Sequence, residues 1–159
     1  LALNVLKLVE KKINRAAQKS FTHREYLAGC EIPDMQAFRQ ELNRECGGFS
    51  DATREFVGRN YGTESRDVFF LAREEPAFAE VLNGEGQILA SVVHAVRREM
   101  ARTLNDILFR RTGLGNVGHP GAEVLDRVAD VAARELRWND ARRDSERALA
   151  EEAFLLPAS

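Results

Sequence analysis

The sequence predicts an all-α fold, a compact bundle of about six to eight short helices with no substantial sheet. Apolar residues recur every three or four positions over most of the chain, which is the spacing of one face of a helix. Residues with N-capping side chains precede several of these stretches, and glycine or proline follows them. No segment alternates apolar and polar residues for long enough to indicate a strand.

Length and composition favour one globular domain. The chain has 159 residues, 44% of them apolar, which is enough for a proper core. Its net charge of -2 does not point to nucleic acid or to an anionic membrane. No stretch is long and apolar enough to span a bilayer, and no signal-peptide pattern is seen. Cys30 and Cys46 lack metal-ligand spacing, so we expect free thiols in a reducing compartment.

The predicted helices follow from these patterns in chain order. They cover residues 1–18, 34–46, 51–60, 63–74, 77–82, 122–136 and 139–154, with two more around residue 101. The predicted N-caps are Asp34, Ser50, Thr63 and Asn139. Residues 19–33 are predicted to be a linker, and residues 83–86 a turn between helices rather than a β-hairpin. The last helix is predicted to present a solvated, charged face made of Arg142, Arg143, Asp144, Glu146 and Arg147.

The densest polar cluster lies at residues 95–112, here called the corner. One apolar helix ends there, the chain turns near Ala101 and Arg102, and a second short helix begins. Thr103 is predicted to cap the second helix, with the Asp106 carboxylate in its positive first turn. Five arginines flank the turn, against only two acidic residues, Glu99 and Asp106. The arginines are Arg97, Arg98, Arg102, Arg110 and Arg111.

Three interpretations of the corner are open from the residues alone. Its arginines could be paired within the core, because unpaired buried charge is costly. They could form a docking face, since the guanidinium group suits carboxylates and carbonyls of a partner. The third interpretation is a helix-turn-helix that binds DNA. It is the least favoured, because Asp106 would face phosphates and the chain is acidic overall.

No catalytic, cofactor-binding or metal-binding residue is predicted within the chain. Residues 113–118 match the G-x-G-x-x-G pattern, but a helix precedes them and Pro120 follows, so we predict an interhelical loop. His94 is predicted to pack in the core, and His23 and His119 lack an evident partner in the sequence. No nucleophile lies beside a base, and no carboxylate pair indicates acid–base chemistry.

Residues 96–112 resemble the signature of the C-terminal domain of FAD-dependent glycerol-3-phosphate dehydrogenases. That signature is an apolar helix followed by residues that correspond here to Arg97, Glu99, Thr103, Asp106, Arg110, Arg111 and Thr112. Residues 60–62, Asn-Tyr-Gly, resemble the Tyr-Gly helix start of the same family. Residues 123–140 resemble its closing helix pair. The resemblance covers the chain from about Leu42 onward and, more loosely, the first helix.

The resemblance implies a parent enzyme that oxidises sn-glycerol 3-phosphate to dihydroxyacetone phosphate. Hydride would pass to FAD and electrons to a quinone or another acceptor, whereas this chain would hold no cofactor and have no oxidoreductase activity alone. Residues 1–33 would be the connector helix and linker that leave an upstream FAD domain, and residues 34–156 the accessory domain. Because the chain begins at Leu1 within a helical pattern, we expect it to be a fragment.

The expected partners are the FAD and substrate domain of the same chain, with further copies of the protein as a second candidate, but not nucleic acid. The parent would be cytoplasmic or peripheral on the cytoplasmic face of the inner membrane. The residues expected to build the corner or to dock are Arg97, Glu99, Arg102, Thr103, Asp106, Arg110 and Arg111. The alternative is a free-standing helical module for protein interaction or regulation.

Overall fold

The computed structural model describes residues 2–15 and 21–155, and the predicted all-α fold is confirmed. The α-helices in these ranges are α1 (Ala2–Ile13), α2 (Met35–Glu45), α3 (Asp51–Tyr61), α4 (Ser65–Glu74), α5 (Ala90–Arg98), α6 (Ala122–Leu136) and α7 (Asp140–Phe154). Two 3₁₀ turns, Gly62–Glu64 and Pro76–Ala79, and a π-helical segment, Asp106–Arg111, complete the described helical structure. None of the described helices is long and apolar enough to cross a membrane.

Helix α5 forms the centre of the core. Every residue from 90 to 96 is buried, so the helix is enclosed on all sides. It packs against α4 and α6, and α6 packs in turn against α7. Phe69 of α4 and Leu125 of α6 are among the largest side chains that are fully buried. The apolar residues that predicted α4 and α6 therefore pack around α5.

Of the four N-caps predicted outside the corner, three are confirmed. The Asp34 carboxylate accepts hydrogen bonds from the backbone N–H groups of residues 36 and 37 at 2.8 and 3.0 Å. The Ser50 hydroxyl accepts from Thr53 N–H, and the Asn139 side chain from Arg142 N–H at 2.9 Å. The first four N–H groups of a helix lack partners inside it, and these side chains supply them.

The fourth predicted cap is wrong. Thr63 lies inside the 3₁₀ turn Gly62–Glu64, and no side-chain cap bond forms at the start of α4. The N–H of Thr63 instead donates to the carbonyl of Gly29 at 3.0 Å, so the backbone is held by a distant loop.

The predicted helix over residues 77–82 is shorter in the structure and lies earlier. Only Pro76–Ala79 is helical, because Leu82 N–H donates to the Gln87 carbonyl at 2.7 Å and draws the chain into a tight turn. The Asn83 side chain accepts from the N–H groups of Glu85 and Gln87, both at 3.1 Å. The described residues have no strand here, only an isolated antiparallel bridge between residues 81 and 88.

The first predicted helix is present as α1, which ends at Ile13. Residues 16–18, the predicted end of that helix, lie outside the described residues, as does the predicted domain end at residue 156. Within residues 21–33 the chain forms turns, and Ile32 packs against the core. Cys30 is exposed and Cys46 is buried, and both are free thiols.

Two glycines let the 21–33 loop cross the junction between α3 and α4. Gly62 has φ +53° and ψ -129°, a combination that residues with a Cβ avoid. A Cβ atom placed on Gly62 would lie only 1.9 Å from the Gly29 carbonyl oxygen. This contact gives a physical reason for the glycine in the Asn-Tyr-Gly motif.

We predict that Gly62→Ala lowers the free energy of unfolding by roughly 3 kcal/mol, because the backbone is strained and the loop must move away. Urea unfolding followed by circular dichroism measures the change. The matched control is Gly84→Ala, since no atom lies within 4 Å of a Cβ built there. Equal stability of the two variants would show that the loop crossing contributes little.

Candidate functional site

The corner joins two helical segments through a left-handed residue. Helix α5 ends at Arg98, and Met100 follows with φ +60°. The N–H of Ala101 closes the end of α5 by donating to the Ala95 carbonyl at 3.0 Å. Met100 is 75% exposed, so the turn projects an apolar side chain into solvent. The turn predicted near residues 101 and 102 is therefore present.

Thr103 and Asp106 form the predicted capping box. The Thr103 hydroxyl accepts from Asp106 N–H at 3.0 Å, and the Asp106 carboxylate accepts from Thr103 N–H at 3.1 Å. The same carboxylate also accepts from Arg102 N–H at 3.1 Å. Burial alone would raise the pKa of Asp106, but bonds from the Arg102 backbone, the Arg110 guanidinium and Thr103 outweigh it and hold the pKa below its ordinary value.

A second carboxylate reaches the corner from the far end of the chain. Glu146 of α7 is 3% exposed and accepts a hydrogen bond from the buried Leu104 N–H at 2.8 Å. Arg142, one helical turn earlier, pairs with the same carboxylate. The prediction that Glu146 lies on a solvated face is therefore wrong. The sequence contains no local sign of this contact, because the two residues are 42 positions apart.

The second helical segment of the corner ends in π-helical geometry. Thr112 N–H donates to the Ile107 carbonyl at 2.9 Å, a bond across five residues, and the Thr112 hydroxyl donates to the same carbonyl at 2.7 Å. The buried Gln87 side chain donates to the Thr112 carbonyl at 3.2 Å. Short π-helical segments are frequent at functional sites. Here the segment sets the direction in which Arg110 and Arg111 project.

The five arginines of the corner divide into two groups. Arg97 makes a bidentate pair with Glu135 of α6, with N–O distances of 2.7 and 2.9 Å. Arg110 pairs with Asp106, and Arg98 lies 3.5 Å from Asp67. The other two, Arg102 and Arg111, are exposed and make no ion pair within 4 Å in the part of the chain that the structure describes.

Glu99 lies next to this turn with one buried oxygen. Its Oε2 atom has no hydrogen-bond partner among the described residues. Burial raises the pKa of the Glu99 carboxyl; the Arg111 guanidinium opposes this effect and the Glu64 carboxylate adds to it. An unpaired oxygen in a partly buried carboxylate costs stability. The stability of the described residues alone therefore does not explain why a carboxylate lies at residue 99.

His94 lies in the core, as predicted. It is fully buried on α5, and the Tyr61 ring lies edge-on to it with the ring centroids 5.2 Å apart. Neither ring nitrogen has a hydrogen-bond partner among the described residues. Burial lowers the pKa of His94, which favours the neutral imidazole.

The glycine loop at residues 113–118 does not form a dinucleotide site. A helical segment precedes it, and the Phe109 ring would contact a Cβ on Gly115 at 2.6 Å, so this side of the loop is already occupied. This loop therefore lacks the preceding strand that a pyrophosphate-binding turn requires. His119, just after the loop, lies 2.9 Å from Glu151 of α7 and so has a partner that the sequence did not indicate. The described residues include no group of three or more potential metal ligands.

We predict that Thr103→Val lowers the free energy of unfolding by about 1 kcal/mol, because Asp106 N–H loses its acceptor while the volume is kept. Thermal unfolding of the isolated chain measures it. Thr103→Ser is the control, since it retains the hydroxyl. A Val variant as stable as the Ser variant would show that the cap is not needed.

We predict that Glu99→Gln raises the stability of the chain at pH 7 by on the order of 0.5–1 kcal/mol, because a buried charge is removed. The folded-state pKa of Glu99 is raised, so its ionised form costs stability at neutral pH. This cost, and hence the gain in the variant, should vanish as the pH falls below about 4.3, where the unfolded carboxyl is protonated. Urea unfolding at pH 7 and at low pH measures both values, and a gain that does not depend on pH would contradict the prediction.

The comparisons with known proteins agree with these observations. A family model described as the C-terminal domain of alpha-glycerophosphate oxidase matches residues 20–143. The chain is also 32% identical over 93 residues to the probable glycerol-3-phosphate dehydrogenase, mitochondrial, of Dictyostelium discoideum. That alignment covers 58% of this chain and 15% of the relative, so the chain spans only a small part of the relative's length.

No solved structure gives a significant match to the chain. The family model, by contrast, covers well over half of it and includes the corner, the Asn-Tyr-Gly motif and α2–α6. The protein therefore belongs to the family of C-terminal domains of alpha-glycerophosphate oxidase.

Proposed function

We propose that the chain is the helical accessory domain of a flavoenzyme that oxidises sn-glycerol 3-phosphate to dihydroxyacetone phosphate. The observation that carries the proposal is the family match over residues 20–143, which includes the whole corner. In this proposal the domain has no catalytic group of its own. FAD and the substrate bind in the upstream part of the parent, where hydride passes to FAD and electrons then pass to a quinone or another acceptor.

The contact with that upstream part is proposed to use the unpaired arginines of the corner. Arg97 and Arg110 already have carboxylate partners inside the domain, so they hold the corner together. Arg102 and Arg111 have no such partner within 4 Å among the described residues, and the exposed Met100 lies two positions before Arg102 in the chain. Exposed guanidinium groups without an ion pair fit a partner surface that offers carboxylates or backbone carbonyls.

The buried oxygen of Glu99 supports the same interpretation. The Glu99 carboxylate lowers the stability of the free domain. This suggests a role in the assembled parent, where a hydrogen-bond donor from the partner domain would pair with the buried oxygen. Glu99, Thr103 and Asp106 are thus proposed to shape the corner, and Arg102 and Arg111 to dock. Association of parent copies, and peripheral contact with the cytoplasmic face of a membrane, stay predictions from the resemblance. The comparisons do not favour a free-standing module.

The test uses the full-length parent. We predict that the double variant Arg102→Ala/Arg111→Ala retains less FAD and oxidises glycerol 3-phosphate more slowly than the wild type, because the domain contact is weakened. The same variant of the isolated chain should lose little stability, because neither side chain forms an ion pair within 4 Å among the described residues and Arg111 acts on Glu99 only at longer range. Flavin absorbance, oxidation rate and thermal unfolding are measured on the same preparations.

Arg44→Ala is the matched control, because Arg44 is also exposed and forms no ion pair within 4 Å among the described residues. It should leave flavin content and oxidation unchanged. A double variant that behaves like this control would contradict the docking role. A wild-type parent without flavin or glycerol 3-phosphate oxidation would contradict the proposed function itself.

A further inference from the structure

Helix α1 has an apolar face that nothing in the described structure covers. Val5, Leu6, Val9 and Ile13 recur at helical spacing on one side, whereas Lys7 and Lys11 lie on the opposite side. The four apolar side chains are between 44% and 60% exposed, and α1 has no buried residue. An amphipathic helix of this kind gains its stability in water mainly by packing its apolar face.

The composition of α1 also sets it apart from the rest of the chain. All four lysines of the sequence lie within the first 19 residues, and every basic residue after them is arginine or histidine. Residues 2–15 carry four basic side chains against one acidic, whereas residues 16–159 carry 19 lysines and arginines against 24 acidic residues. The family match begins at residue 20, which lies just beyond this change in composition.

The charged side chains of α1 do not bind the helical body. Among the described residues, Lys7, Lys11 and Lys12 form no ion pair within 4 Å, although many arginines of α2–α7 pair across helices. With no buried residue and no ion pair to the described part of the domain, α1 is not one of its packed elements.

We propose that the apolar face of α1 packs on the domain that precedes this one in the parent chain. The inference rests on the proposed function, because it takes the parent to have such a domain. The relative is much longer than this chain, which spans 15% of it. In a parent of similar length, the preceding domain is joined covalently to α1. A short covalent connection raises the effective concentration of the two surfaces to about the millimolar range.

The partner surface is defined by the chemistry of α1. It is an apolar patch that receives one face of a helix of 12 residues, bordered by a carboxylate that can pair with Lys12 at the edge of that face. In this arrangement α1 belongs structurally to the preceding domain, and residues 21–33 connect it to α2. In the parent, the apolar side chains of α1 would then be buried against the preceding domain.

The experiment places the photo-crosslinking residue benzoylphenylalanine at Val9 of the full-length parent, with Lys11 as the matched position on the opposite face of α1. The expected result is an intrachain crosslink from position 9 to residues upstream of α1, identified by mass spectrometry, and loss of that crosslink at position 11. A second pair, Leu6→Gln and Lys11→Gln, places the same residue on each face at similar helix propensity. Only Leu6→Gln should lower the midpoint of thermal unfolding of the parent, by at least about 2 °C.

Other occupants of the α1 face would overturn the inference. A crosslink from position 9 to a second copy, to α2–α7 of the same chain, or to phosphatidylglycerol in added vesicles would each do so, as would equal crosslinking from both positions. Flavin content and glycerol 3-phosphate oxidation are recorded on the same samples. A parent that crosslinks as expected but holds no flavin would contradict the proposed function and leave the α1 inference standing.

Discussion

The structure depends on satisfying backbone N–H groups at a turn that is partly buried. After α5 ends, three successive N–H groups, those of Arg102, Thr103 and Leu104, need acceptors outside their own helix, and burial increases along the three from the exposed Arg102 to the fully buried Leu104. Asp106 accepts from the first two and Glu146 from the third. One carboxylate is local and the other comes from α7, so closing the corner requires the last helix to be in place.

This requirement couples the last helix of the domain to its centre. Glu146 can reach Leu104 only if α7 packs on α6, and α6 packs on the buried α5. Arg97 strengthens the same arrangement by joining the end of α5 to Glu135 of α6. The corner is thus held by contacts with both later helices.

The domain also contains features that its own stability does not explain. Among the described residues, a buried oxygen of Glu99 and both ring nitrogens of His94 have no hydrogen-bond partner, and α1 exposes an apolar face. A buried polar atom without a partner lowers the stability of the isolated domain, and an exposed apolar face adds nothing to it. Such costs are expected in a domain that evolved as part of a larger protein, where other residues cover or complete them.

Sequence by itself determined the features that depend on neighbours three or four positions apart. The caps at Asp34, Ser50 and Asn139, the Thr103–Asp106 box and the bounds of α6 all follow from side chains that contact their own turn of helix. The all-α fold follows as well, because helical periodicity is read within one segment. The family signature was recognisable for the same reason, since it lies within 17 consecutive residues.

Only the tertiary structure decided which charged residues are internal. Glu146 and Arg142 have the spacing of a surface pair, yet packing of α7 buries Glu146 against a backbone N–H 42 residues away. Thr63 has the side chain of a cap, but its N–H donates to the Gly29 carbonyl instead. His119 contacts Glu151 only because α7 lies beside the loop that holds His119. Burial and hydrogen bonding between distant residues depend on how helices pack, and helical periodicity carries no information about which helices meet.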